Sequence, residues 1–202
     1  MTERFHREYF EKLYRRSEDP WKFATSEYEK RKYGRTLATL EGGRFRRALE
    51  AGCSIGVFTA MLAPYCDELL AVDTSERAVE LARERLSGSR HVRVERRTLP
   101  EEAPEGPFDL IVASEFLYYL TEDLLLATLR RFEQELAIGG SLLVVHMRKE
   151  IEIYPLQGDE VHDLLNRQTR LANVLAVTEP EYRLDLFRDT ENRAHRKPEG
   201  QS

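Results

Sequence analysis

The sequence predicts an α/β protein built on a seven-stranded, mostly parallel sheet with helices on both faces. Short apolar runs alternate with segments of helical periodicity between about residues 45 and 146, a pattern typical of strands joined by crossover helices. Two further apolar stretches, near 171–178 and 182–188, have only a short Thr-Glu-Pro-Glu link between them. They should therefore pair as an antiparallel hairpin, which makes the last strand the antiparallel one.

The first part of the chain, residues 1–43, is predicted to be helical and to have no strand of its own. Phe5, Tyr9 and Leu13 recur at i, i+4 and i+8 and indicate a short amphipathic helix. The segment Ser-Glu-Asp-Pro at 17–20 breaks this helix, and a second helix runs over about 26–40 until the Gly-Gly pair at 42–43. Because both helices are largely polar, they must rest on the sheet domain, which is expected to span 44–190.

The other elements follow in chain order. Strands are predicted near 46–51, 68–73, 91–96, 108–114 and 140–146, with helices near 56–65, 75–86 and 121–137. The last of these helices is well marked, because Thr121 can cap it and Leu125, Leu129 and Phe132 fall on one buried stripe. The Ile-Gly-Gly segment at 138–140 is expected to end it.

The segment 148–170 interrupts the alternation with a turn and then a helix over 159–170. The charged residues 191–202 are expected to form a mobile tail.

The composition favours an ordinary globular domain. The chain has 202 residues, of which 41% are hydrophobic and 33% charged. Its net charge of −5 argues against nucleic acid as a partner. The chain has no apolar leader and no run of membrane length, so we expect a cytoplasmic protein, either a monomer or a weak homodimer. Cys53 and Cys66 lack metal-ligand spacing, and His146 and His162 have no third ligand nearby, so no metal site is predicted.

The turn at residues 50–56, Glu-Ala-Gly-Cys-Ser-Ile-Gly, is the most informative segment for function. It follows the first strand, and the second strand ends in Asp73, 21 positions after Gly52. This layout is typical of a nucleoside pocket at the carboxyl edge of a parallel sheet. A dinucleotide site requires G-x-G-x-x-G, but Ser54 and Val57 occupy the second and third glycine positions, and no P-loop ending is present. The bound group is therefore expected to carry no phosphate.

S-adenosylmethionine (SAM), with its amino acid, sulfonium, ribose and adenine, fits these residues. Glu50 can orient the turn or the ammonium of the cofactor, and Asp73 can accept from both ribose hydroxyls. Gly52 and Gly56 permit close approach of the backbone. Further cofactor contacts are expected from Cys53, Thr74 and Ser114. The alternative is a glycine turn that serves only to pack the strand against the following helix.

Three stretches resemble class I SAM-dependent methyltransferases: E-A-G-C-S-I-G-V-F-T at 50–59, L-A-V-D-T at 70–74, and F-D-L-I-V-A-S-E-F-L-Y-Y-L at 108–120. More narrowly, the chain resembles the nodulation protein S family, N-methyltransferases that act on chitooligosaccharide precursors of Nod factors. This likeness begins at D-P-W (19–21) and Y-E-K-R-K-Y (28–33) and becomes weak beyond residue 148. It implies a Rossmann-like class I methyltransferase fold, SAM as cofactor, and an amine of an oligosaccharide or another small molecule as acceptor.

The resemblance also implies that the two N-terminal helices form a lid over the cofactor, lined by Trp21 and a basic residue near Arg31. Closing such a site excludes water and holds the methyl donor against its acceptor. Trp21 is equally well explained as a hydrophobic anchor of the lid. Members of the wider fold often place Asp after the third strand to bind adenine, whereas this chain has Thr98 and Leu99 there. These two residues are expected to hold the adenine instead.

On the acceptor side, an amine must be uncharged when it attacks, and a nearby group can take a proton directly or through water. Glu115 ends the fourth strand and His146 ends the fifth, so both lie at the edge where ligands bind. With Tyr118 they are the candidate catalytic residues.

Candidate acceptor contacts are Tyr119 and the pair Asp159 and His162, which share one helix face at i, i+3. The adjacent tyrosines 118 and 119 are equally well explained as core residues, and the Asp159 and His162 face as a solvated one.

The leading hypothesis is therefore a SAM-dependent N-methyltransferase. An O-methyltransferase of a natural product and a SAM-binding regulatory module without turnover are the alternatives. A nucleic-acid methyltransferase is disfavoured, because the chain has no N-P-P-Y-like or D-P-P-Y-like tetrapeptide and its pI is about 5.7. The acceptor is not identified, since the resemblance fades in the segment 148–170 that should shape its cleft.

Overall fold

A computed structural model describes residues 5–40 and 42–190 of the chain. The strands are β1 (Phe45–Ala51), β2 (Cys66–Asp73), β3 (Val92–Arg96), β4 (Phe108–Ser114), β5 (Leu136–Met147), β6 (Ala172–Thr178) and β7 (Tyr182–Arg188). They form one seven-stranded sheet in the order β3-β2-β1-β4-β5-β7-β6. β7 pairs antiparallel with both β5 and β6, and the other neighbouring strands pair parallel. The predicted fold class, including the antiparallel last strand, is confirmed.

The helices are α1 (Arg7–Arg16), α2 (Glu27–Ala38), α3 (Val57–Leu62), α4 (Glu76–Arg85), α5 (Glu122–Glu135) and α6 (Gly158–Gln168). Two short 3₁₀ turns span Ala63–Tyr65 and Leu117–Tyr119. Serines cap two of the helices: Ser26 accepts from the backbone N–H of Glu29, and Ser75 accepts from that of Ala78. Thr121 occupies the N-cap position of α5 but makes no side-chain cap bond, so this part of the expectation is wrong.

The boundary between α5 and β5 also differs from the prediction. The helix ends at Glu135 and the strand begins at Leu136, so the predicted helix stop at Gly139 and Gly140 lies inside the strand. Gly139 has a φ of +73°, and a Cβ on Gly140 would lie 2.9 Å from the backbone oxygen of Phe108. Gly140 therefore serves a close approach of β5 to β4, where the pairing register shifts, and Gly139 supplies the left-handed backbone beside it.

The core lies on both faces of the sheet, because neighbouring residues of the central strands are buried in opposite directions. On β4, Ile111 belongs to the cluster that contains Leu125 and Phe132 of α5, whereas Leu110 belongs to the cluster that contains Phe58 and Leu62 of α3. Near-continuous apolar strands of this kind are expected where helices cover both faces. The strand order reverses between β1 and β4, which places a crevice at their carboxyl ends.

The N-terminal helices pack on the sheet domain beside that crevice. Tyr14 of α1 is 3% exposed and packs with Ile55 and Ala78. On α2, the Tyr33 ring lies 5.1 Å from that of Phe58. No helix in the described part of the chain has the length and apolar character that crossing a membrane requires. The predicted tail, 191–202, lies outside the described residues.

Candidate active site

A cavity of about 310 Å³ opens at the carboxyl ends of β1, β2 and β4 and is covered by side chains of the N-terminal segment. The cover includes Phe10, Tyr14, Trp21 and Phe23, so the two N-terminal helices and their connection form one wall. The predicted site residues that line the cavity are Trp21, Glu50, Gly52, Cys53, Asp73, Thr74, Thr98, Leu99, Ser114, Glu115 and Tyr119. Crevices at such a reversal of strand order are where ligands bind in open α/β sheets.

The glycine turn brings the backbone to the cavity at Gly52. This residue has a φ of +79°, and a Cβ here would lie 3.0 Å from the Cβ of Phe116, so a side chain is excluded on both grounds. Gly56 has another role than the one predicted. It caps α3 with a φ of +75°, does not line the cavity, and approaches Ala82 of α4 to 3.1 Å at its would-be Cβ. It serves the packing of α3 against α4, a role related to but different from the strand–helix packing of the alternative interpretation.

Glu50 contributes a buried carboxyl group to the cavity wall. Its side chain ends β1 and is only 3% exposed, and its Oε2 has no hydrogen-bond partner among the described residues. Burial raises the pKa of Glu50 to about 8, with a smaller contribution from the Asp73 carboxylate. A buried acceptor oxygen without a partner is costly, and a cationic ligand group would relieve that cost. The free Oε2 of Glu50 therefore fits the ammonium of SAM.

Asp73 is held by the backbone on both of its oxygens. Oδ1 accepts from the N–H of Ser75 and Oδ2 from the N–H of Ser54, each at 2.9 Å. Removal of the carboxylate from bulk water raises its pKa to about 6, although these bonds oppose the shift. Each oxygen keeps a second lone pair, so the orientation is fixed while the capacity to accept two ribose hydroxyls remains.

Thr98 and Leu99 lie on the same side of the cavity as Asp73. The Thr98 hydroxyl is 2.9 Å from that of Thr74, and the Thr98 N–H donates to Glu102 at 2.7 Å. Both threonines are thus fixed along the cavity wall, next to the end of β2. Their expected contact with adenine stays a prediction.

Glu115 reaches the cavity from a strained position at the end of β4. Its φ is +57°, an uncommon value for a residue with a side chain. Oε1 accepts from Lys32 Nζ at 2.6 Å, and Oε2 accepts from the Tyr118 hydroxyl at 2.8 Å and from the Met147 N–H at 3.0 Å. These three bonds fix the orientation of the carboxylate and leave one lone-pair site free, on Oε1. The predicted catalytic role of Glu115 stays a prediction.

The adjacent tyrosines are both buried, Tyr118 to 4% exposure and Tyr119 to 7%. Tyr119 lines the cavity, and its hydroxyl lies 3.3 Å from that of Tyr154. Tyr118 stacks on Tyr154 and acts on the site only through its bond to Glu115. Tyr118 does not line the cavity, so a direct catalytic contact is not supported.

His146 and His162 belong to a buried hydrogen-bonded chain behind the site, not to the cavity wall. The Leu117 N–H donates to His146 Nε2 at 3.2 Å, so His146 Nδ1 carries the hydrogen and donates to His162 Nε2 at 3.3 Å. His162 Nδ1 then donates to Asp185 at 2.7 Å. Burial, and then the neighbouring His162, lower the pKa of His146 well below its usual value. The predicted catalytic role of His146 and acceptor role of His162 are therefore not supported.

Asp159 is also outside the cavity. Both of its oxygens accept from Arg148, at 3.0 Å and 3.1 Å from Nε. This pair ties the start of α6 to the end of β5, because the two side chains face each other at the surface. The proposed acceptor wall of Asp159 and His162 does not form, since one side chain is ion-paired and the other is fully buried.

Two site residues were missed by sequence reasoning. Arg31 is exposed and does not line the cavity, whereas its neighbour Lys32 is 2% exposed and bonds Glu115. Tyr14 donates from its hydroxyl to Ser54 Oγ at 2.6 Å, which joins α1 to the glycine turn. The position of Lys32 on its helix could have identified it, because Tyr33 and Thr36 share the buried face of α2 with Lys32. A charged residue on such a face indicates a buried partner.

The described side chains do not form a set of metal ligands at this site. Within residues 5–40 and 42–190, no three His, Cys, Asp or Glu side chains lie together as metal ligands would. The two cysteines are free and buried, and burial raises the pKa of Cys53 well above its usual value. A raised thiol pKa disfavours the nucleophilic thiolate.

The chain is similar to proteins of one known family. The profile of the family described as nodulation protein S (NodS) matches residues 7–155. A nodulation protein S from Sinorhizobium fredii is 36% identical over 107 residues, which cover 52% of this chain and 50% of that relative. The chain spans 44–65% of the length of the first three curated relatives that it matches.

Two solved structures have the same fold. A protein from Pseudomonas syringae is 39% identical with a TM-score of 0.72, and the alignment covers 81% of this chain and 99% of that one. The N-methyltransferase NodS from Bradyrhizobium japonicum WM9, in complex with S-adenosyl-L-homocysteine, is 26% identical with a TM-score of 0.78. That alignment covers 87% of this chain and 94% of the other.

Proposed function

The chain belongs to the nodulation protein S family, and from that premise we propose that it transfers the methyl group of SAM to an amine of an oligosaccharide or another small molecule. One observation carries the proposal: a cavity with a glycine turn unsuited to phosphate holds a buried carboxyl group, that of Glu50, whose Oε2 has no hydrogen-bond partner among the described residues. The related NodS from Bradyrhizobium japonicum binds S-adenosyl-L-homocysteine and is an N-methyltransferase.

On the cofactor side, different residues bind the two ends of SAM. Glu50 pairs with the ammonium, and Asp73 accepts from the ribose hydroxyls while two backbone N–H groups hold it in place. Thr98 and Leu99 flank the adenine. When bound, SAM would supply a methyl group on a sulfonium: the amine nitrogen would bond to the methyl carbon as the carbon–sulfur bond breaks, S-adenosylhomocysteine would leave, and the proton of the methylated ammonium would pass to water. The N-terminal wall, with Tyr14 bonded to the glycine turn, excludes water from the same cavity.

On the acceptor side, Glu115 orients the amine. A carboxylate has about four lone-pair sites, and described residues occupy three of those of Glu115. The remaining site, on Oε1, accepts an N–H of the acceptor, which directs the nitrogen lone pair away from Glu115. Tyr119 forms the neighbouring wall. Positioning of this kind supplies much of the rate of a displacement reaction.

An acceptor screen tests the proposal. Chitosan oligosaccharides, glucosamine and simple alkyl amines are each incubated with SAM and the protein, and methylation is read as a mass shift. Fully acetylated chitin oligosaccharides are the matched control, because they keep the hydroxyls but lack the free amine.

We expect methylation of at least one of the free amines and not of the acetylated control, with the new methyl on nitrogen by product NMR. Methylation of the acetylated control would point to an O-methyltransferase. SAM binding without turnover of any amine would point to a regulatory module.

A further inference from the structure

Lys32 of α2 is a buried lysine that connects the N-terminal wall to the acceptor side of the cavity. It is 2% exposed, and its Nζ lies 2.6 Å from Glu115 Oε1 and 3.1 Å from Glu29 Oε1. The rings of Tyr28 and Tyr33 lie within 5.2 Å and 5.8 Å of the ammonium. A charge is buried this deeply only where its partners compensate the lost hydration.

The three charged residues Glu115, Lys32 and Glu29 follow one another away from the cavity. Glu115 lines the cavity, whereas Lys32 and Glu29 lie behind it. The Lys32 ammonium therefore offsets the charge of Glu115 from behind the cavity wall, at the oxygen, Oε1, whose other lone pair is left for the acceptor. Without Lys32, an acceptor amine would meet a bare carboxylate in a cavity of low dielectric constant. Such a carboxylate binds the protonated amine best, and a protonated amine has no lone pair with which to attack.

We propose that Lys32 is a positioning residue that neutralises Glu115 and thereby keeps the acceptor amine uncharged and nucleophilic in the cavity. This inference rests on the proposed amine methyltransferase function. It assigns Lys32 no contact with the substrate, because its effect passes through Glu115. Nζ lies 2.6 Å from Glu115, so an amine bound to that carboxylate would be within about 6 Å of the ammonium.

Other titratable groups also face this pair. They come from α2, the turn after β4, β5, and the segment before α6: Tyr28, Glu29, Tyr33, Tyr118, Tyr119, His146 and Tyr154. Burial raises the pKa of Tyr28 to about 12 and, together with Lys32 and His162, holds that of His146 well below its usual value. On the cofactor side, Glu50 and Asp73 are unchanged between the variants described next, so their titration cancels in the comparison.

The test is the pH dependence of kcat with both substrates saturating, which reports ionisations of the bound complex. The probe is a chitosan tetrasaccharide with SAM, and the variants are Lys32→Met, Lys32→Arg and Glu29→Gln. Two charges about 6 Å apart at an effective dielectric constant of about 20 interact by an amount equal to about two pH units. Lys32→Met should therefore move the acidic limb of kcat up by about one to two pH units.

The other variants distinguish an effect of the Lys32 charge from a structural effect. Lys32→Arg keeps the charge and should leave the limb in place, while Glu29→Gln removes a neighbouring carboxylate and should move it down by about half a pH unit. Arg35→Met is the matched control, since Arg35 lies on the same helix but is exposed and pairs with Glu179. It should leave the profile unchanged.

Three results would overturn the inference while the wild-type protein still methylates the probe. The first is a Lys32→Met protein that loses activity equally at every pH, which indicates a structural role. The second is a loss of SAM affinity with an unchanged limb, which indicates a cofactor ligand. If Lys32→Met does not fold, the Glu29→Gln variant provides the test. The third contradicting result is then an acidic limb of Glu29→Gln that stays in place or moves to higher pH. Failure of the wild-type protein to methylate any amine would instead contradict the proposed function.

Discussion

Replacing Glu50 with Gln should stabilise the protein without ligand and weaken its binding of SAM. In the fold the pKa of Glu50 is about 8, against an ordinary value of 4.5, because the carboxyl group is buried. The folded state therefore holds this proton more tightly than the unfolded state. The stability that the group contributes is complete below pH 4.5 and is lost as the pH rises to about 8.

The magnitude follows from the same two values. At pH 7, about 2.5 pH units above the ordinary pKa of 4.5, the Glu50 carboxyl would be ionised in the unfolded chain but keeps its proton in the folded protein. Each of these pH units costs about 1.4 kcal/mol of folding free energy. Glu50 thus costs about 3 kcal/mol of stability at pH 7 and less than about 1 kcal/mol at pH 5. A glutamine cannot ionise, so the difference between the variant and the wild-type protein should grow by about 2.5 kcal/mol between pH 5 and pH 7.

Urea unfolding at pH 5, 6, 7 and 8, compared between the Glu50→Gln and wild-type proteins, measures this difference. Glu68→Gln is the matched control, because Glu68 lies on the neighbouring strand but is exposed. Calorimetry on the same proteins should show SAM binding weaker by about tenfold to a hundredfold, since a charge-assisted hydrogen bond is lost.

Two outcomes would refute this reasoning. A variant whose stability changes with pH as the wild-type protein does would mean that Glu50 is not the buried acid that titrates. A variant that gains stability but binds SAM equally well would mean that the carboxylate does not hold the cofactor.

Three other substitutions test the rest of the site. Asp73→Ala should weaken SAM binding by about 100-fold in calorimetry, because two charge-assisted hydrogen bonds are lost, and retention of full affinity would contradict the cofactor assignment. Tyr14→Phe removes the hydroxyl that bonds Ser54 and should speed SAM dissociation by about two- to tenfold in stopped-flow measurements, with the exposed Tyr65→Phe as control. His146 has a lowered pKa, so its contribution to stability is present above pH 6.5 and is lost as the pH falls below it. His146→Asn should therefore remove up to about 1.4 kcal/mol per pH unit from the acid dependence seen by urea unfolding, and an unchanged dependence would exclude His146 as its source.

Much of the fold could be predicted because it depends on local patterns. Apolar runs of strand length, separated by amphipathic helices, predict a parallel sheet, and the short link before Tyr182 predicts the antiparallel hairpin. The exception is the start of β5. Gly139 and Gly140 have the composition of a helix stop, but tertiary pairing with β4 uses them inside a strand. Composition alone does not distinguish these two uses of glycine.

Within the site, prediction succeeded for residues whose place follows from the backbone. Glu50, Asp73 and Glu115 each lie at the carboxyl end of a parallel strand or directly after it, and all three line the cavity. His146 also lies near a strand end, but its side chain turns away from the cavity to His162. The position of the backbone was predictable, whereas the direction of the side chain depended on packing.

The sequence by itself determined the order of the elements, the loss of phosphate-binding glycines, and the acidic residues at the strand ends. Only the tertiary structure decided which side chains meet. Lys32 and Glu115 are 83 positions apart, and Tyr14 and Ser54 are 40 apart. The physical reason is that periodicity places each residue within its own element, while the partner of a buried charge or hydroxyl is chosen where two elements pack. Burial then makes these distant pairs obligatory, because a charge or hydroxyl removed from water must be compensated by whatever lies opposite.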